Sequence, residues 1–273
     1  MTADLIGHAA ESLAAVRAAR PLVHNITNYV VMNPTANALL ALGASPVMAH
    51  AEDEVAEMAA IAGALVLNIG TLSPPWISAM FRAAESARKN RVPIVLDPVG
   101  AGATRLRTET AGKLLGEFRP DVLRANASEI LAMAGDASQT RGVDSRQPVE
   151  QARDAAVGLA RQFHITVAVT GPEDFVTDGV RAARISNGHA LMARVTGTGC
   201  TASALTGAFC AVEKEPFEAA VASLVVFGIA GEMAAREHPR PGTFQVRLLD
   251  ALDEIQPNHV RAAARVAVET LPK

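Results

Sequence analysis

The feature that most constrains this chain is an alternation of two kinds of segment. Short apolar runs such as Leu22-Val23-His24-Asn25-Ile26, Ala64-Leu65-Val66-Leu67-Asn68-Ile69 and Ile165-Thr166-Val167-Ala168-Val169-Thr170 are separated by longer periodic, alanine-rich stretches. Runs this short and this apolar suit strands covered on both faces, and the intervening helices supply the crossovers that parallel strands need. Further strands are expected at 45–48, 92–96 and 121–124. Helices are expected at 8–20, 30–42 (ended by Gly43), 52–62, 75–90, 108–118 and 149–163. A loop is expected over 135–147, and Phe175–Val180 reads as a hairpin because Asp178-Gly179 is a favoured turn pair. Helices near 216–236, 243–255 and 259–271 make an all-helical final third that packs on the sheet. The fold class is therefore α/β, a mainly parallel central sheet with helices on both faces. No linker, repeat or low-complexity stretch divides the chain, so residues 1–273 read as a single domain.

Composition narrows the function. Hydrophobic residues make up 49% and charged residues 19%, so a large aliphatic core forms and some apolar surface is left for other subunits to cover. A formal net charge of −3 and the lack of any basic run argue against nucleic acid as a partner. Met1-Thr2-Ala3-Asp4 has no signal-peptide character, and no uninterrupted apolar segment nears the ~20 residues of a membrane span. Cys200 and Cys210, if on one helix, stand about 15 Å apart, too far for a disulfide. A cytoplasmic protein with free thiols is expected.

Val195-Thr196-Gly197-Thr198-Gly199-Cys200 reads as a glycine turn feeding a helix. Gly197 and Gly199 let the backbone come close to a bound group. The helix start offers unpaired N–H groups and a positive dipole end, a site for phosphate or for the charge of phosphoryl transfer. A tight connection with a core cysteine accounts for the same residues. At the helix start, the Cys200 thiol is expected to be more acidic than a free one, and so a nucleophile or base.

Ligands in open α/β sheets bind beyond the carboxyl ends of the strands. There the chain sets Asn28, Met48, Asn68, Asp97, Arg124, Glu129 and Thr170. Asp97, before Pro98-Val99-Gly100-Ala101-Gly102, either holds Mg²⁺ or starts a turn. Glu129 either joins that metal or closes a capping box with Asn126. Arg124 suits a triphosphate clamp or an ion pair with Asp121 or Glu129. Thr170 offers a hydroxyl to phosphate or simply leaves its strand. The chain has no G-x-x-x-x-G-K-[ST], no G-x-G-x-x-G and no cysteine-hydrolase context around Cys200.

Five stretches in order resemble the hydroxyethylthiazole kinase family of thiamin biosynthesis and salvage. They are residues 25–49, Asp97-Pro-Val-Gly-Ala-Gly-Ala-Thr104, Arg124-Ala-Asn-Ala-Ser-Glu129-Ile, Val169-Thr170-Gly-Pro-Glu-Asp174 and Val195-Thr-Gly-Thr-Gly-Cys200. The resemblance implies a ribokinase-like three-layer fold and a homotrimer with sites at subunit interfaces. It implies transfer of the ATP γ-phosphate to the hydroxyl of 4-methyl-5-(2-hydroxyethyl)thiazole with Mg²⁺. By position, Arg124 and Thr170 match ATP-binding residues, Asp97 and Glu129 magnesium-linked acids, and Met48 and Gly197 thiazole-binding residues, with Asn28 nearby. In the wider superfamily the position of Cys200 is usually an aspartate base. The cysteine here implies that it orients the hydroxyl or acts as a weak base, while the Gly197, Gly199 and Cys200 amides hold the phosphoryl group. The alternatives are a kinase of the same fold for another alcohol, such as a hydroxymethylpyrimidine, or a binding module without turnover.

Overall fold

The computed structural model describes residues 2–135, 147–237 and 239–272, so the loop expected over 135–147 falls almost wholly outside the described residues. After helix α1 (Thr2–Ala19) come β1 (Leu22–Ile26), α2 (Met32–Leu42), β2 (Ser45–Val47), α3 (Val55–Ile61), β3 (Ala64–Asn68) and α4 (Pro74–Asn90). β4 (Ile94–Asp97), α5 (Arg105–Phe118), β5 (Val122–Asn126), α6 (Ala127–Met133), α7 (Gln147–Phe163) and β6 (Thr166–Thr170) continue the alternation. The hairpin is β7 (Asp174–Thr177) and β8 (Arg181–Ile185). A 3₁₀ turn at Ala190–Arg194 leads into α8 (Thr198–Cys210), α9 (Pro216–Ala234), α10 (Pro241–Glu254), α11 (Pro257–Ala263) and β9 (Val266–Thr270).

The strands form one nine-stranded sheet in the order β2-β1-β3-β4-β5-β6-β7-β8-β9. β2 through β6 in that order pair in parallel, and the last three pairings are antiparallel. Alternate side chains of each strand feed two cores. Val23, Val66, Val95 and Val122 face α1, α2, α8, α9 and α10. Leu65, Leu67, Leu96 and Leu123 face α3 to α7. The result is the three-layer α/β arrangement expected from the alternation.

One expectation is corrected. Residues 259–271 are not one helix: α11 stops at Ala263, and Val266–Thr270 form β9, antiparallel to β8. Val266, Val268 and Thr270 alternate with Ala267 and Glu269, the two-residue period of an edge strand with one face turned to solvent. By length and composition α9 could cross a membrane, although Glu218 and Glu232 interrupt its apolar run. It lies instead among α1, α8 and α10 in the core, with 83% of its apolar window buried. Its length and hydropathy reflect burial on every side.

Candidate active site

The site is built on the carboxyl ends of β1, β3, β4, β5 and β6, facing the start of α8. Gly197 sets that start. Its φ of +87° is a left-handed conformation, and a Cβ there would lie 2.7 Å from Val31 Cγ1. No side chain caps α8. The cap position is glycine, and the hydroxyl of Thr198 just after it donates to the Met192 carbonyl at 2.8 Å. The first-turn N–H groups of α8 therefore lack intrahelical partners and converge on one point.

Parallel register sets the acids and amides around that point. Asn68 at the end of β3 stands beside Asp97 at the end of β4. Asp97 Oδ2 accepts from Asn68 Nδ2 (2.9 Å), Arg124 Nη1 (3.2 Å) and Ser203 Oγ (2.8 Å). Arg124, inside β5 and only 6% exposed, also sends Nη2 to Thr170 Oγ1 at 2.6 Å. Its guanidinium lies against Gly199, where a Cβ would stand 3.0 Å from Nη2. Any larger residue at 199 would push the guanidinium aside. On the other flank, Asn28 Nδ2 donates to Asn68 Oδ1 (2.9 Å) and to Cys200 Sγ (3.4 Å). A continuous polar chain thus runs Cys200–Asn28–Asn68–Asp97–Arg124–Thr170 within one subunit.

Two buried atoms of this chain, Asp97 Oδ1 and Arg124 Nε, have no partner among the described residues. Buried polar groups without partners are rare, and two at one strand end suit a ligand that supplies them. The donor set fits Mg²⁺ held jointly with phosphate: a single free carboxylate oxygen, and no cluster of three metal-binding side chains among the described residues. Glu129 is differently engaged. Its Oε2 accepts from the Asn126 N–H (2.9 Å) and its Oε1 from the Gly100 N–H (2.8 Å), while Asn126 Oδ1 accepts from the Glu129 N–H. It closes the capping box of α6 and staples the Asp97–Gly102 loop to it.

Charge on Asp97 and Cys200 follows from burial. Desolvation pushes the Asp97 carboxyl up; Arg124 opposes this, and the negative charge of Glu129 reinforces it. The Cys200 thiol is also raised, first by burial and then by the Asp97 carboxylate. This corrects the acidic thiol expected from the helix start: burial and the nearby carboxylate raise the thiol, and Cys200 stays protonated at neutral pH.

A cavity of about 510 Å³ opens beside Arg124, Thr170 and Gly199 and extends to Met192, Leu224 and Phe227. Met48 is not brought to the polar chain. It follows the edge strand β2, with β1 and β3 between it and Asp97. Next to it, His50 stacks on Trp76 with ring centroids 4.2 Å apart, and Tyr29 packs on the same indole at 4.8 Å. Sequence reasoning missed the role of Ser203, although its spacing of four from Gly199 sets both on one face of α8. It also passed over Asp174, which lines the cavity and accepts the Gly171 N–H at 2.9 Å.

Burial raises the half-buried Asp174 carboxyl to about 6, against the pull of the Gly171 amide and Arg124. Unfolded, this group titrates near 3.8. The folded chain therefore holds an extra proton between those pH values, and its stability falls as pH rises through about 6. Two units amount to about 3 kcal/mol, reduced by solvent screening to about 1–2 kcal/mol. Asp174→Asn keeps an acceptor for Gly171. It is expected to melt higher than the parent at pH 7.5, with the gap closing near pH 4; equal melting curves at both pH values would contradict this.

Sheet, uncapped helix start and buried arginine–carboxylate pair suit a small-molecule kinase of three-layer α/β fold. Kinase relatives bear this out. The sequence profile of the Hydroxyethylthiazole kinase family matches residues 13–258. The hydroxyethylthiazole kinase of Desulfotalea psychrophila is 52% identical over 258 residues, covering 94% of each chain. That of Pyrococcus horikoshii is 54% identical over 257 residues, covering 94% of this chain and 96% of its own. The solved structure of the hydroxyethylthiazole kinase protein from P. horikoshii OT3 superposes with a TM-score of 0.89 at 51% identity, covering 96% and 98%. The chain belongs to the hydroxyethylthiazole kinase family. Staphylococcus aureus pyridoxal kinase in complex with pyridoxal shares the fold at a TM-score of 0.61 and 17% identity, covering 92% and 99%.

Proposed function

We propose that this chain, as a single catalytic domain, transfers the γ-phosphate of ATP to the hydroxyl of 4-methyl-5-(2-hydroxyethyl)thiazole, in thiamin biosynthesis or salvage. The observation that carries this reading is Arg124, which joins Asp97 to Thr170 across the face of Gly199 at an uncapped helix start. Arg124 and Thr170 grip the phosphates, and the α8 amides hold the transferring group. Asp97 would hold Mg²⁺, with Glu129 adding negative charge beside it, and the bound ion would supply neutralising charge for the phosphate oxygens. Asn28 and Cys200 orient the acceptor hydroxyl. Phosphoryl transfer has a loose transition state, so the hydroxyl proton leaves late and no strong base is required. That agrees with a Cys200 thiol held protonated.

Incubation with ATP, Mg²⁺ and the thiazole alcohol is expected to give ADP and the thiazole phosphate by mass spectrometry. Turnover no greater than a heat-killed control would reject the reading. Parallel rates on a hydroxymethylpyrimidine are expected to be far lower. Cys200→Ala is expected to retain turnover within about tenfold of the parent, with an unchanged pH profile, since positioning rather than proton abstraction is lost. Complete loss at normal ATP binding would make Cys200 an obligatory base.

The same reading takes the protein to be cytoplasmic and a homotrimer whose acceptor sites adjoin subunit interfaces. Tyr29 and Val30, 65% and 60% exposed beside Asn28, supply apolar surface of the kind a neighbouring copy covers. Met48 and Gly197 then complete the thiazole site. Light scattering after size exclusion, giving three chains per particle, tests the assembly.

A further inference from the structure

The cavity beside Arg124 has two chemically different ends. Arg124, Thr170, Thr198 and Gly199 make one cationic and rich in N–H donors, while Met192, Leu224 and Phe227 make the other apolar. Among its described lining residues, Asp174 alone is a carboxylate. A carboxylate beside a phosphate-binding end repels the phosphates, so it is unfavourable there unless the ligand brings a donor to it. Asp174 Oδ1 is taken by the Gly171 N–H at 2.9 Å, and no described residue donates to Oδ2. Gly171 follows Thr170 directly, so this bond ties Asp174 to the strand end that meets Arg124. The carboxylate is therefore held close to the phosphate end of the cavity.

A nucleoside triphosphate lying from Arg124 toward Leu224 presents its ribose hydroxyls next to the phosphates and its base farther on. Those hydroxyls are neutral donors, the kind of group a carboxylate there can accept from without adding charge. We propose that Asp174 accepts a hydrogen bond from a ribose hydroxyl of the bound nucleotide, so that the cavity selects ribonucleotides over their deoxy counterparts. This rests on the kinase reading above. Asp174 then has two tasks: one oxygen shapes the 170–174 turn, and the other reads the sugar.

Calorimetric titration of the whole protein with ADP, 2′-deoxyADP and 3′-deoxyADP tests this without any acceptor alcohol. At least one deoxy nucleotide is expected to bind about tenfold more weakly than ADP, the ratio expected for a hydrogen bond to a charged group. Asp174→Asn retains an acceptor for the Gly171 amide and hence the turn; there the ratio is expected to shrink, and in Asp174→Ala to approach one. A merely structural role would weaken ADP and deoxyADP equally. Equal binding of all three nucleotides by the parent, or a ratio unchanged in both variants, overturns the inference. Failure of the parent to bind ADP at all would instead sink the kinase reading, and this inference with it.

Discussion

Replacing Arg124 with alanine is expected to abolish measurable turnover and to lower stability by about 3–5 kcal/mol. The size follows from what is left behind. Asp97 is fully buried and accepts from Arg124, Asn68 and Ser203, and Arg124 is the only cation among these three. Without it, the carboxylate either stays ionised in a dry site or takes up a proton. The stability deficit is therefore expected to be larger at pH 8 than at pH 5 in urea titrations. Arg124→Lys separates fold from function. A lysine restores the charge but not the fork that reaches Asp97 and Thr170 together. Most of the stability is expected to return in that variant, with turnover restored at an apparent KM for ATP at least tenfold above the parent's. Unchanged calorimetric ATP binding in the alanine variant, or an unchanged ATP dependence of turnover in the lysine variant, would remove Arg124 from the nucleotide site.

How much of this could be read from the sequence depended on which physical rule governed each residue. The ends of buried parallel strands are legible, because short apolar runs set the strands and fold rules set the site beyond them. Asn68, Asp97, Arg124 and Thr170 were found in that way. Glu129 was legible as far as its capping box, which is a local pattern; its second bond, to the Gly100 amide, is not local and could not be read. The sign of the Cys200 shift was missed for the same reason. The helix start is visible in sequence, whereas burial and the approach of Asp97 are made by tertiary packing. The segment 259–271 misled because α11 begins with helical spacing and its alanines run on into the chain. Only pairing with β8, aided by the Arg184–Glu269 ion pair, holds 266–270 extended. The contact between Asn28 and Cys200 joins residues 172 positions apart, and no sequence pattern announces it.

Asp97→Asn probes the metal rather than the fold. The asparagine oxygen can replace Oδ2 as acceptor for Asn68, Arg124 and Ser203, and its amide can take the place of Oδ1, which no described residue engages. Arg124 loses a counter-charge, but the charges of Glu129 and Asp174 remain nearby. The melting temperature is therefore expected to move by only a few degrees. On the proposed reading catalysis is expected to fall about a thousandfold or more, because an amide nitrogen would not replace a carboxylate oxygen as a ligand for Mg²⁺, and a metal ion supplies several kcal/mol of transition-state charge stabilisation. The distinguishing measurement is a magnesium titration at fixed ATP. The parent should saturate within the millimolar range, and the variant's residual rate should depend only weakly on added metal. If both proteins give the same magnesium curve, Asp97 is a structural acceptor for Arg124 and the ion is held by phosphate and other residues.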